Sequence, residues 1–264
     1  MRRFSAEYLR DTRRGLWEER GALSALSLED RDRILDVGCG TGELTRVVRE
    51  ESTAEVVGLD VDRTLLNRVD FADALVQGDA LSLPFAEDSF DLVVGQALLI
   101  NLPDPDAAIR EFARVSSDLV AAIEPDNART TVESSVPAEG RLAELARRRY
   151  IAGVDTDVTL GSSVADRFEA AGLDVVSTVR HPLRRTTAPS YTESDVESAK
   201  RKASGTRIEE QRATFRAGGL SDTDVDELRS AWREMGRTVV EQMAAGEYER
   251  EAEVPFFVTV GRVS

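Results

Sequence analysis

The chain of 264 residues has one cysteine, one histidine and two lysines. A single cysteine excludes an intramolecular disulfide, and Cys39 with His181 is too small a set for a metal cluster. No apolar run is long enough to span a bilayer, and the opening "MRRFSAEYLR" has no apolar stretch behind its arginines, so a soluble, cytoplasmic protein without a membrane partner is expected. Positive charge is also scarce: 34 Lys plus Arg stand against 49 Asp plus Glu, a net charge of −15. No basic stripe gathers phosphates, which speaks against a nucleic-acid partner. Apart from Lys200 and Lys202 every side-chain cation except the lone histidine is arginine. An acidic, lysine-poor surface of this kind resembles that of salt-loving archaea.

What is present is a core. The hydrophobic fraction is 41%, sufficient for a packed domain. Strand and helix patterns alternate. Strands are expected at "RILDV", "AEVVGLD", "DALVQGD", "FDLVVGQ", "DLVAAIE", "LDVVSTVRH" and "VPFFVTVGRV", with helices at "GELTRVVREE", near "RTLLNRV", at "PDAAIREFARV" and at "SSVADRFEAAGL". Such alternation implies a doubly wound, mostly parallel sheet of seven strands. Three stretches stand outside it: a helical leader over residues 4–20 within 1–28, a helix over 130–152, and a mostly helical insert over 186–250 between the last two strands. In the insert, Ser221 and Asp224 form a capping box, followed by Val225, Leu228, Trp232, Met235, Val239 and Met243 at steps of three and four. That face is expected to be mainly core, and its place suggests a lid over an acceptor site. One domain, 1–264, is expected.

The most informative stretch is "RILDVGCGTGELT", residues 33–45. Gly38, Gly40 and Gly42 stand where a buried strand turns into a helix, the place where an open α/β sheet binds ligands against the main chain. A dinucleotide fingerprint needs glycine at position 43, which holds Glu43, so a nicotinamide enzyme is disfavoured. Asp36 and Glu43 flank the loop; they would oppose a pyrophosphate and suit a ligand bearing an ammonium or another cation. Asp60 ends the second strand, eighteen residues beyond Gly42, where an acid accepts both hydroxyls of a ribose; Asp62 reads as a helix cap. Asp79 ends the third strand and could meet an adenine amino group, or simply make a turn after Gly78.

"ILDVGCGTGELT", "VVGLDVD" and "VQGDALSLPFAEDSFDLVVGQALLINLPDP" together resemble the class I S-adenosylmethionine-dependent methyltransferases, in particular the small-molecule type-11 group. The resemblance is close over about residues 30–125 and loose over the last strands. It implies a Rossmann-like, seven-stranded sheet with the last strand antiparallel, and S-adenosylmethionine as cofactor. It places Asp36, Gly38, Gly40 and Gly42 around the methionine part, Asp60 at the ribose, Val61 against the adenine, Asp79 and Ala80 at the adenine edge, and Gln96 facing the methionine or the acceptor. Tyr8 with an arginine such as Arg14, and Trp17, would come from a leader folded over the cofactor. Family members often carry histidines near positions 100 and 101; this chain has Ile100 and Asn101, which puts a histidine base in doubt. Glu124 and Asp126 in "AAIEPDN" are the base candidates, with Asn101 beside them, and a plain turn is the competing reading. His181, before a proline, is expected at the surface.

The reaction expected is methyl transfer to a small, partly apolar organic acceptor. A quinone or lipid-precursor C-methyltransferase has the same core, and a non-catalytic S-adenosylmethionine-binding module would share the loop.

At a net charge of −15, self-repulsion opposes compaction in low salt, and molar salt shortens the Debye length to about 3 Å. The melting temperature is therefore expected to rise between low and molar potassium chloride; a flat profile in a thermal melt argues against a salt-adapted protein.

Overall fold

The computed structural model describes residues 5–13, 15–69 and 71–264. In chain order the elements are α1 (Ala6–Arg13), β1 (Arg33–Val37), α2 (Glu43–Glu51), β2 (Glu55–Asp60), α3 (Arg63–Leu66), β3 (Ala74–Gln77), β4 (Phe90–Gln96), α4 (Pro105–Val115), β5 (Ser116–Pro125), β6 (Thr131–Ser134), α5 (Pro137–Gly153), α6 (Val164–Ala170), β7 (Asp174–Thr187), α7 (Glu193–Ser204), α8 (Thr206–Glu210), α9 (Arg212–Ala217), α10 (Asp222–Ala245) and β8 (Arg250–Arg262). They form two compact units. The first holds residues up to 126, 159–182 and 256–264; the second holds 127–158 and 183–255.

In the first unit the strand order is β3-β2-β1-β4-β5-β8. The ladders from β3 through β5 are parallel, and β8 runs antiparallel to β5, with Leu119 opposite Arg262 and Pro125 opposite Phe256. This is the doubly wound sheet with an antiparallel last strand that the sequence implies. Chain order reverses between β1 and β4, and the glycine loop leaves β1 at that point. Ile34, Leu35 and Val37 have no exposed surface, so β1 needs its continuous apolar run. Asp62 caps α3, accepting the Thr64 N–H at 2.8 Å, and Asp104 caps α4 ahead of Pro105, accepting the Ala107 N–H at 2.9 Å. Ile109, Phe112 and Val115 of α4 are fully buried against the sheet.

In the second unit α5 and α7–α10 pack around Leu142, Phe215, Val225, Leu228, Met235 and Val239. The Ser221–Asp224 capping box starts α10, and the apolar face read from the sequence is core, with Trp232 and Met243 partly buried against it. One expected helix is shorter than expected. Residues 131–134 form β6, paired antiparallel with β8 from Thr131–Glu253 to Ser134–Arg250. The helix begins only at Pro137, whose fixed φ and missing N–H suit the first helical turn. The described strands thus number eight.

A buried polar cluster joins four elements of this unit. Glu139 of α5 accepts from Lys202 Nζ (2.6 Å), Arg250 Nε (3.0 Å), Tyr248 Oη (2.9 Å) and Ser134 Oγ (2.7 Å). Burial pushes the Glu139 carboxyl up, but Lys202, Ser134 and Arg250 outweigh it and hold it below its usual range. Glu139→Gln leaves two cations without their counter-charge. It is expected to cost about 3–5 kcal/mol of unfolding free energy, the usual penalty for breaking a buried pair from one side, measured by denaturant titration.

Candidate functional site

The glycine loop is built from main-chain contacts. The Leu59 carbonyl at the end of β2 accepts the N–H groups of Gly38 (2.6 Å) and Cys39 (3.0 Å), and Gly42 N–H returns to Cys39 O at 2.8 Å. Gly40 has φ +57°, a region costly for other residues. Its N–H donates to Asp60 Oδ2 at 2.9 Å, while Asp60 Oδ1 accepts the Asp62 N–H at 2.8 Å. Asp60, 9% exposed, therefore pins the loop to the tip of β2. Burial raises its pKa and the two amide bonds pull it back. A carboxylate has about four lone-pair positions, so both oxygens keep capacity for a ligand's hydroxyls.

Two more acids flank the loop. Asp36 is 1% exposed and accepts from Thr45 Oγ1 at 2.6 Å; burial pushes its pKa up to about 7, against the Thr45 bond and the charge of Arg13. Glu43 opens α2 and accepts from Thr41 Oγ1 at 2.6 Å.

The leader lies on this loop. Arg13 Nη1 is 3.6 Å from Glu43 Oε2, and its Nη2 donates to the Gln96 carbonyl at 3.3 Å. Trp17 Nε1 donates to Gln96 Oε1 at 2.8 Å, and the Trp17 ring stacks on His181 at 5.3 Å and 9°. His181 Nε2 in turn lies 2.5 Å from the Leu16 carbonyl. His181 is thus buried, not a surface residue. The proline after it does not end the strand, because β7 ladders only with β8 among the described residues and Pro182 can sit on such an edge without donating. The Tyr8 side chain and Arg14, both expected at the cofactor, lie outside the described residues.

On the other side of the loop, Val61 is 45% exposed at the tip of β2, and Ala80 is buried beside the exposed Asp79. Asp79 Oδ1 accepts its own turn's Leu81 N–H at 3.0 Å. Gln96 is buried, and its Nε2 has no hydrogen-bond partner among the described residues.

Glu124 has no exposed surface. Its Oε1 accepts the N–H groups of Leu98 and Leu99 at 2.9 and 2.8 Å, and its Oε2 that of Ile100 at 3.5 Å. It closes the turn Leu99–Asn101 that follows β4. Burial pushes its pKa up to about 7 against those three amides. A base must touch the atom it deprotonates, so Glu124 could act only if this turn opened. Asp126 accepts from Ser162 Oγ at 2.8 Å, and Asn101 Nδ2 donates to the Ala97 carbonyl at 2.7 Å. Among the described residues, no His, Cys, Asp and Glu cluster could hold a metal ion.

Three features had no place in the sequence reading. Thr45 is seen only once α2 is known to pack over β1. Arg13 was one of two neighbouring arginines with nothing to separate them. Ala97 has φ +49° immediately after Gln96, a strained position of the kind that gathers at binding sites.

Fold and loop are those that the resemblance to the class I S-adenosylmethionine-dependent methyltransferases implies. Residues 35–118 match the family described as a methyltransferase domain. Over 126 residues, 42% of this chain, it is 33% identical to the demethylmenaquinone methyltransferase of Lactobacillus johnsonii. Over 111 residues, 38% of this chain, it is 35% identical to the 2-phytyl-1,4-naphtoquinone methyltransferase of Synechococcus elongatus. These alignments span 48% and 47% of the two relatives, so the chain covers about half the length of the curated relatives it matches. The crystal structure of a presumed methyltransferase from Bacillus halodurans shares the fold, with a TM-score of 0.54 at 14% identity over 94% of this chain and 98% of that one.

The pKa of Asp36 gives a signed expectation. An acid whose folded pKa exceeds its unfolded value favours folding most when protonated. Its contribution is full below about pH 4 and is lost as pH rises to about 7. Asp36→Asn lacks this loss. Its stability relative to the parent should therefore improve between pH 5 and pH 8, by about 2 kcal/mol at some 1.4 kcal/mol per pKa unit. Paired urea titrations at the two pH values check the sign.

Proposed function

We propose that this chain transfers the methyl group of S-adenosylmethionine to a small, partly apolar organic acceptor. The observation that carries the reading is the acidic ring of Asp36, Glu43 and Asp60 around a main-chain loop held in left-handed conformations. That donor set repels phosphate and takes a ligand with a cationic head. An arginine head already lies against it, so the site accommodates positive charge. We assign the loop Gly38–Gly42 and Asp36 to the methionine part, Asp60 to the ribose, Val61 to one face of the adenine, and Asp79 with Ala80 to its edge. Gln96 is assigned to the methionine or the acceptor, supported by its unspent Nε2 donor. The bound cofactor supplies a methyl group already activated by its sulfonium. What remains for the chain is to position the acceptor and exclude water, which is proximity and orientation more than acid–base chemistry.

Within this class a quinol is the acceptor the relatives favour, since two of them methylate naphthoquinone-type rings. Incubation with labelled cofactor and either a demethylated naphthoquinol or a metabolite extract should place label in the small-molecule fraction. Label in tRNA or protein alone would overturn the acceptor class. Asp60→Ala should weaken binding of S-adenosylmethionine by about 1.5–3 kcal/mol, roughly 10- to 150-fold, measured by calorimetry. Micromolar binding of NAD with no response to S-adenosylmethionine would overturn the assignment.

A further inference from the structure

We propose that Arg13 is an internal stand-in for the cofactor's cation, so that the leader helix is a plug the cofactor must displace. The inference rests on the methyltransferase reading above. Four observations lead to it.

Asp36 and Asp60 are buried and Glu43 is half-buried, and buried carboxylates without a counter-charge are costly. The Arg13 guanidinium supplies that charge. Its side chain is only 9% exposed, it faces Glu43, and its field reaches Asp36, Asp60 and Glu124.

The seat is loose. Arg13 stands 3.6 Å from the nearest Glu43 oxygen and touches Gln96 only through a 3.3 Å bond to a carbonyl. Arg114, by contrast, makes a fork to Glu111 with two bonds of 2.8 Å. A fork adds both energy and geometric specificity; Arg13 lacks one and is correspondingly easier to displace.

Two buried polar atoms beside it make no hydrogen bond. One is an acceptor, Glu43 Oε2; the other is a donor, Gln96 Nε2. An acceptor and a donor without hydrogen bonds are the complement of a ligand that carries both an ammonium and a carboxylate; Arg13 gives Glu43 Oε2 a counter-charge at 3.6 Å but no hydrogen bond.

The leader also takes the ligand's space. A Cβ built on Gly40 would lie 3.0 Å from Leu9 Cδ1 and 3.4 Å from Arg13 Nη1. The open side of the loop, where a ligand approaches the main chain most closely, is covered by α1. The turn that follows α1 is anchored independently, through Trp17 on Gln96 and His181 on Leu16. Displacement of Arg13 and Leu9 therefore need not release the whole leader.

The test is calorimetric titration of the full chain with S-adenosylmethionine and with its demethylated product, for the parent, Arg13→Ala and Arg13→Gln. Both variants should bind about 5- to 50-fold more tightly, the range of ordinary coupling between competing states. Without ligand they should melt at lower temperature. Millimolar guanidinium ion should return the affinity of Arg13→Ala toward that of the parent, an effect that general loosening of the leader would not produce. Unchanged or weaker binding by both variants, with normal binding by the parent, overturns the plug and makes Arg13 a ligand contact or a bystander. No binding by any of the three overturns the methyltransferase reading, and the plug with it.

Discussion

The site depends on one carboxylate holding two strand tips together. Asp60 closes β2, and its oxygens take the N–H of Gly40 from the loop after β1 and the N–H of Asp62 from the start of α3. Without it, among the described residues, the glycine loop is tied to β2 through the Leu59 carbonyl and closed internally by the Gly42–Cys39 bond. A loop of three positive-φ residues has little intrinsic preference for one shape, and backbone freedom at such positions is expensive to freeze. Asp60 makes it rigid before any ligand arrives. A carboxylate used this way is pulled in two directions: burial penalises its charge, and the two amides reward it. The amides favour the ionised form that a ribose would also need.

The same conflict repeats around the loop and sets the electrostatics of the site. Asp36 and Glu124 are both fully enclosed and both pushed to about pKa 7, one supported mainly by a threonine hydroxyl and the other by three backbone amides. A region with this much latent negative charge draws a cation from whatever source is nearest. Its affinity for a cationic ligand is then a difference between two occupants, not the sum of the ligand's own contacts.

Much of this was legible in the sequence because it is written in local chemistry. The buried run "RILDV", the spacing of Gly38, Gly40 and Gly42, the acid at the end of "VVGLD" and the cap at Asp62 each specify their own backbone, and the described loop follows them. What the sequence hid is long-range. Glu124 reads as a pocket acid because it follows a strand, yet its partners are amides 24 to 26 residues earlier, which no spacing rule announces. His181 reads as exposed because of Pro182; its burial depends on a leader 165 residues away. The strand at Thr131–Ser134 is short, half-exposed and next to a helix, so its period-two pattern is lost in a longer helical one. In each case tertiary contact, not propensity, decides.

The two lysines sit in different settings. Lys200 is exposed and makes only a 3.5 Å contact to Glu197, a pair of the kind worth little. Lys202 is buried. Its ammonium donates to Glu139 at 2.6 Å and to Tyr248 Oη at 2.9 Å, and it lies 5.3 Å from the centre of the Tyr248 ring. A compact ammonium can meet a carboxylate and a phenol from one point. A planar guanidinium spreads its donors in a fork and would leave some of them unpaired in that space. Arginine already occupies the other side of Glu139, at Arg250, where a single Nε contact suffices.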